Sequence, residues 1–157
     1  MNGTSLCIRS SANHATKAEM ASALWPVLKL IEDYYGDAVI GWYRPGKKKA
    51  RKFLSFLSAV QLENVLYHHI ADYSREPILD AGYYIYVFLV LERSKFKIAF
   101  PMLVSGNWGS WTDVFDKPNQ IRFSTQDDCP ELIESIKQQL ISSFNPEFVE
   151  IVPEFIP

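Results

Sequence analysis

The feature that most constrains the fold is an uninterrupted apolar run of nine residues, Tyr83 to Leu91. Aromatic and β-branched side chains dominate this run, which favours a strand over a helix. Because no polar residue alternates with the apolar ones, the run predicts a central strand that is covered on both faces. A membrane-spanning helix needs about 20 apolar residues, so we expect that the chain does not cross a bilayer.

Hydrophobic periodicity predicts three helices around this strand. Thr16 and Glu19 have the spacing of a capping box, and the apolar stripe that follows predicts a helix to Tyr35, kinked or restarted at Pro26. A stripe of the same period predicts a second helix over residues 50–73. Asp128 and Glu131 predict the capped start of a third helix, whose stripe runs from Leu132 to Phe144.

Short alternating segments predict the remaining strands. A brief strand is expected around Leu6 and Ile8, and others are expected at residues 38–43, 96–102, 120–123 and 148–152. Helices interleaved with hairpin-linked strands are typical of an α+β fold. We therefore predict one domain, residues 1–157, with a mainly antiparallel sheet of about five strands and helices packed against it.

Charge is unevenly distributed along the chain. The net charge is −2, but residues 1–106 contain 13 basic and 9 acidic residues, whereas residues 107–157 contain 3 basic and 9 acidic ones. Five of the cations lie between Lys47 and Lys52, which leaves a small nucleic-acid-binding module as the alternative function. The isoelectric point of about 5.9 argues against nucleic acid as the main ligand. The acidic second part suits a basic protein partner, such as a nuclease.

The sequence contains no motif that indicates catalysis or a cofactor. Phosphate-binding loops, dinucleotide fingerprints, serine nucleophile elbows and zinc-protease motifs are all absent. His68, His69 and Asp72 are close in sequence, and His68 and Asp72 would share a helix face. No other cluster supplies the third and fourth ligands, so we expect no metal site. Cys7 and Cys129 are not in a CxxC motif, and the N-terminus lacks an apolar signal region. These patterns predict a cytoplasmic protein with reduced thiols that is not an enzyme.

Candidate binding residues cluster in the polar, turn-rich segment from Ser105 to Pro118. Trp108 and Trp111 are candidate anchors for a protein partner, with Asp113 and Asp116 as a charged rim around them. The alternative is a loop whose aromatic residues pack on the protein's own core. The segment from Asp33 to Asp37 has a similar composition, and it adds Tyr34 and Asp37 to the candidate protein-binding residues.

Two stretches resemble the immunity protein 52 family of bacterial polymorphic-toxin systems. The first comprises Leu24 and Leu28 in a helix followed by Gly41-Trp42-Tyr43-Arg44-Pro45-Gly46, which is similar to the family's WY-x-x-G turn. The second comprises the strand at residues 119–123, the helix at 132–144 and the closing segment 144–152, where Phe148 occupies a position at which tryptophan is common. The resemblance implies a cytosolic immunity protein that occludes the C-terminal domain of a cognate toxin, often a nuclease. Such toxins reach the cell by type VI secretion or by a contact-dependent route.

Overall fold

The computed structural model describes residues 2–44, 52–54, 56, 58–71, 79–95, 97–112 and 116–155. Within these ranges, nine strands form one sheet, and every recorded strand pair is antiparallel. Three α-helices accompany the sheet. The predicted α+β class is confirmed, but the sheet has more strands than the five expected.

The elements alternate along the chain. The helices are α1 (Lys17–Tyr35), α2 (Ala59–Glu63) and α3 (Pro130–Phe144). The strands are β1 (Asn2–Ser10), β2 (Val39–Arg44), β3 (Lys52–Leu54), β4 (Tyr67–Ala71), β5 (Leu79–Ser94), β6 (Lys97–Ala99), β7 (Met102–Trp108), β8 (Asn119–Thr125) and β9 (Phe148–Phe155). Their order is β3-β2-β5-β7-β8-β1-β9, and β4 and β6 also pair with β5.

One face of the sheet forms the core with the helices. Leu6 pairs with Phe123 and Ile8 with Ile121 across β1 and β8, and all four side chains are fully buried. They belong to one cluster with buried residues of α1 and α3, including Leu28. Side chains two residues apart on a strand share a face, so this alternation fixes which face the helices cover.

The two long helices start at different kinds of local signal. Thr16 caps α1 by accepting a hydrogen bond from the Glu19 amide at 3.1 Å, as predicted, and the helix continues through Pro26 without a break. At the start of α3 the N-cap is Cys129, without a side-chain capping bond, so the predicted capping by Asp128 is wrong. Pro130 takes the first helical position instead, where its fixed φ angle is favourable.

The predicted helix over residues 50–73 is wrong. The described part of this segment contains β3, the single short helix α2 and β4. β3 pairs with β2, and β4 pairs with β5. The backbone hydrogen bonds that β2 and β5 offer to a neighbouring strand outweigh local periodicity and propensity. The apolar spacing in this segment therefore predicted the wrong element.

The central strand is confirmed, but its predicted coverage on both faces is wrong. Ile85, Val87 and Leu89 of β5 are fully buried in the core. On the opposite face, Tyr86 is 36% exposed and its ring centroid lies 5.5 Å from that of Phe88. The apolar run therefore combines an aliphatic inner face with an aromatic outer face that solvent reaches.

The strand predicted over residues 96–102 is divided into two elements. β6 ends at Ala99 and β7 begins at Met102, with Pro101 between them, because proline has no amide hydrogen for the strand ladder. Met102 is buried, but Ile98 and Phe100 are more than half exposed. No helix of the described ranges is both long and apolar enough to cross a membrane.

Candidate functional site

The loop that was predicted to begin at Ser105 begins later in the structure. Residues up to Trp108 belong to β7, which pairs with β5 and β8. Trp108 is only 6% exposed, and its ring centroid lies 5.0 Å from that of Phe144 in an edge-to-face contact. The burial of Trp108 contradicts its predicted role as an exposed anchor and agrees with the alternative, in which the aromatic residue packs on the protein's own core.

Trp111 lies on the surface, in a short segment whose other residues are buried. Its side chain is 53% exposed, whereas Ser110 and Thr112 on either side are 1% and 7% exposed. The indole therefore projects from a segment that is otherwise packed against the protein. The sequence analysis proposed both Trp108 and Trp111 as anchors for a partner, and of the two only Trp111 is exposed to solvent.

Asn119, the first residue of β8, holds this segment in place. Its side-chain oxygen accepts from the Ser110 amide at 2.8 Å, and its amide nitrogen donates to the carbonyls of Ser110 and Ser11, each at 3.0 Å. The Asn13 amide also donates to the Ser110 carbonyl at 2.8 Å. Asn119 has no exposed surface, so these bonds are shielded from competing water and fix the base from which Trp111 projects.

Carboxylates lie at the same end of the sheet as Trp111. The Asp116 side chain is 94% exposed, and its Oδ1 lies 3.8 Å from Lys117 Nζ. The same Lys117 Nζ lies 3.8 Å from Glu147 Oε2, which accepts a hydrogen bond from Ser11 Oγ at 2.7 Å. That hydrogen bond, with smaller contributions from the Ser11 backbone and the charge of Lys117, lowers the pKa of Glu147, so this carboxylate stays ionised at neutral pH.

We refer to Trp111, Asp116, Lys117 and Glu147 as the Trp111 surface. These residues lie at the end of the sheet where β7 and β1 finish and β8 and β9 begin. The pairings of Ser10 with Asn119 and of Arg9 with Phe148 show this arrangement. Asp113, which was predicted as part of the charged rim, lies outside the described residues. Sequence reasoning did not identify Glu147 or the supporting role of Asn119, since both depend on contacts between distant parts of the chain.

The structure does not bring Tyr34 and Asp37 to the Trp111 surface. Tyr34 is 52% exposed near the C-terminal end of α1, and Asp37 is exposed in the short 3₁₀ turn that follows. Ser110, which precedes Trp111, is hydrogen-bonded to Asn13 in the segment before α1. A 19-residue helix is about 28 Å long, so the two predicted groups occupy opposite ends of α1.

A hydrogen-bonded cluster begins at Tyr35, whose ring centroid lies 5.0 Å from that of Tyr34. The Tyr35 hydroxyl donates to Asp127 Oδ2 at 2.8 Å, and Arg93 Nη2 forms an ion pair with the same oxygen. Burial, followed by the bond to Asp127, raises the pKa of Tyr35. The hydroxyl therefore stays protonated, and the cluster connects α1, β5 and the segment between β8 and α3.

His68 does not lie in the helix that would have placed His68 and Asp72 on one face. His68 lies in β4, with its ring centroid 5.4 Å from that of Tyr83. Asp72 and the side chain of His69 are outside the described residues. Among the residues that are described, no group of three or more His, Cys, Asp or Glu is placed to hold a metal ion.

The outer sheet face carries a concave feature that the sequence analysis missed. A shallow depression of about 430 Å³ is lined by Tyr84, Ser105, Gly106, Asn107, Gln120 and Arg122, among others. The alternation of Tyr84 and Tyr86 with aliphatic residues was a sequence signal for this aromatic face. Of the basic run considered for nucleic-acid binding, Lys47–Arg51 lie outside the described residues, and Lys52 begins β3.

Comparison with known proteins found no family model, curated protein or solved structure that matches this chain.

Proposed function

We propose that this protein is a cytoplasmic immunity protein that binds the C-terminal domain of a cognate bacterial toxin and blocks its substrate site. The observation that carries the proposal is Trp111, an exposed indole on a buried, hydrogen-bonded base. The sequence resemblance to a toxin-immunity family supports the same function.

An indole in this setting suits tight protein binding. Tryptophan is enriched among the residues that dominate interface energies. Association is weakened by the entropy lost when mobile side chains and loops become ordered. Because Asn119 already orders the backbone beside Trp111, less entropy remains to be lost on binding.

The charges on the same surface favour a basic partner. Asp116 and Glu147 carry two negative charges against one positive charge on Lys117. A toxin that cleaves nucleic acid needs a basic cleft to hold phosphate. Covering that cleft with an acidic and aromatic surface excludes the substrate without any chemical step.

The direct test is binding to the C-terminal toxin domain encoded immediately upstream of this gene, followed by protection of cells that express the toxin. We expect nanomolar affinity and full protection. If the purified proteins do not bind and the cells are not protected, the proposed function is wrong.

Matched variants test where the partner binds. Trp111→Ala should weaken toxin binding at least about tenfold, as expected for an interface anchor. Tyr34→Ala is the control, since Tyr34 is equally exposed but lies at the other end of α1. A loss of binding in the Tyr34 variant alone would move the interface to that end.

A gel shift with single-stranded DNA at 50 mM salt tests the nucleic-acid alternative, which requires binding that weakens steeply as salt rises.

A further inference from the structure

The free edge of β9 has the features of a strand-docking site. Among the described strands, β9 ends the sheet order, and its recorded pairing is with β1. Phe148, Ile151 and Val152 are 41%, 43% and 38% exposed. A long edge strand with exposed apolar side chains is a template for pairing with another chain.

Pro153 indicates which backbone groups of β9 face outward. Successive strand residues turn their backbone groups alternately toward and away from a neighbouring strand. Pro153 pairs with Thr4 but has no amide hydrogen. If the backbone of Pro153 faced β1, the β1–β9 ladder would lack one hydrogen bond. The ladder is complete when residues 149, 151 and 153 turn their backbone groups away from β1. In that arrangement Val149 and Ile151 present their amides to a partner.

A groove runs beside this edge, between β9 and the start of α3. Its volume is about 320 Å³, and its lining includes Thr4, Asp128, Ile133, Glu134 and Ile151. Ile133 is 5% exposed and forms an apolar floor with Ile151. Asp128 is exposed, and the Glu134 side chain is 57% exposed and lies 4.0 Å from Lys137. The groove thus combines an apolar floor with an acidic rim.

We propose that β9 binds an extended segment of the protein partner as an added strand, and that a lysine or arginine of that segment enters the groove. The aliphatic part of the basic side chain packs on Ile133 and Ile151, while its charged end meets Asp128 and Glu134. The N-terminus of α3 contributes a partial positive charge of about one half, and Lys137 adds a full positive charge near Glu134. Together they are smaller than the charge of the two carboxylates, so the rim stays negative.

A basic partner fits this edge better than a second copy of the protein does. The described side chains of β9 include Glu150 and no basic residue, so a second copy pairing along this edge would bring no positive charge to Asp128 and Glu134. Glu147 precedes β9 directly, which makes this edge continuous with the Trp111 surface. The choice of a basic partner rests on the proposed function, and the strand site extends that interface.

The test uses the full-length protein and a capped nine-residue peptide that alternates lysine and valine. We expect the peptide to slow hydrogen exchange of the Val149 and Ile151 amides at least about tenfold. The same peptide with glutamate in place of lysine should have no effect. A lysine peptide with N-methylated valines, which lacks half of its amide donors, should also have none.

Two variants on one helix separate the groove from general charge. Glu134→Lys should weaken binding of the lysine peptide at least about fivefold. Glu131→Lys, also in the first turns of α3 but not part of the groove lining, should change it less than twofold. Circular dichroism spectra that match the unmodified protein will show that both variants are folded.

The inference is overturned if saturating lysine peptide leaves the exchange of both amides unchanged, or if the two variants lose affinity equally. Trp111→Ala should not affect peptide binding. Because the peptide assay contains no toxin, failure of the strand site and failure of the immunity function are distinguishable.

Discussion

Asn119→Ala should loosen the base of the Trp111 surface and lower the stability of the whole protein. The substitution removes the three hydrogen bonds that the Asn119 side chain makes with Ser110 and Ser11. The Ser110 carbonyl keeps its bond from the Asn13 amide. The buried Ser110 amide loses the acceptor that the Asn119 side chain provides.

The size of the effect follows from these contacts. A neutral hydrogen bond contributes about 1 kcal/mol net, and the substitution removes three of them. We expect the free energy of unfolding to fall by about 3 kcal/mol. For a chain of this length, that corresponds to a decrease in Tm of about 6–12 °C.

Urea unfolding followed by tryptophan fluorescence measures this loss. Asn64→Ala is the control, because Asn64 is exposed and its substitution should change stability by less than about 0.5 kcal/mol. The Asn119 variant should also bind the toxin more weakly at temperatures where it is still folded. A loss below about 1 kcal/mol, or one no larger than in the control, would refute the assigned role of Asn119.

Further substitutions test other parts of the structure. Trp108→Ala should lower the free energy of unfolding by about 3–5 kcal/mol because Trp108 is buried. Trp111→Ala should lower it by less than about 0.5 kcal/mol. Equal losses in urea unfolding would contradict the different placement of the two residues. Gly82→Ala should destabilise by more than about 2 kcal/mol, since φ is +76° and a new Cβ would lie 2.4 Å from the Trp108 carbonyl oxygen. Gly36→Ala, with φ of +59° but nothing within 4 Å, should cost less, and the reverse order of the two melting temperatures would refute this reasoning. Burial raises the pKa of Glu32 above 4.5, although Glu32 accepts a hydrogen bond from Trp42 Nε1 at 2.9 Å. The protonated form is therefore favoured in the folded state, and the stability that Glu32 contributes is lost as pH rises from about 4.5 through its folded-state pKa. Glu32→Gln keeps an acceptor for Trp42 and should reduce this loss when urea unfolding is measured between pH 4 and pH 7; an unchanged pH dependence would show that another group is responsible.

The sequence predicted the elements whose signals are local. Thr16 and Glu19 marked the start of α1, and the apolar stripe of α3 identified its buried face. The apolar run in β5 identified the central strand. In each of these cases the period of the apolar residues and the capping or strand preference indicate the same structure.

Prediction failed where pairing between distant segments decides the outcome. Apolar spacing around residues 50–73 fits a helix, yet β2 and β5 recruit parts of this segment into the sheet. The same limit applies to the candidate site. Trp108 and Trp111 lie in similar local sequence, and nothing in it indicates that Phe144 covers only the first of them.

The amino-acid sequence by itself determined the α+β class, the central strand, the long helices and the acidic character of the second part of the chain. These properties depend on composition and on short-range periodicity. The tertiary structure alone decided which tryptophan is exposed, which carboxylates stand near it, and that β9 forms an edge beside a groove. Each of these depends on strand order and register, which bring together residues that are more than a hundred positions apart, as in the pairing of Ser10 with Asn119.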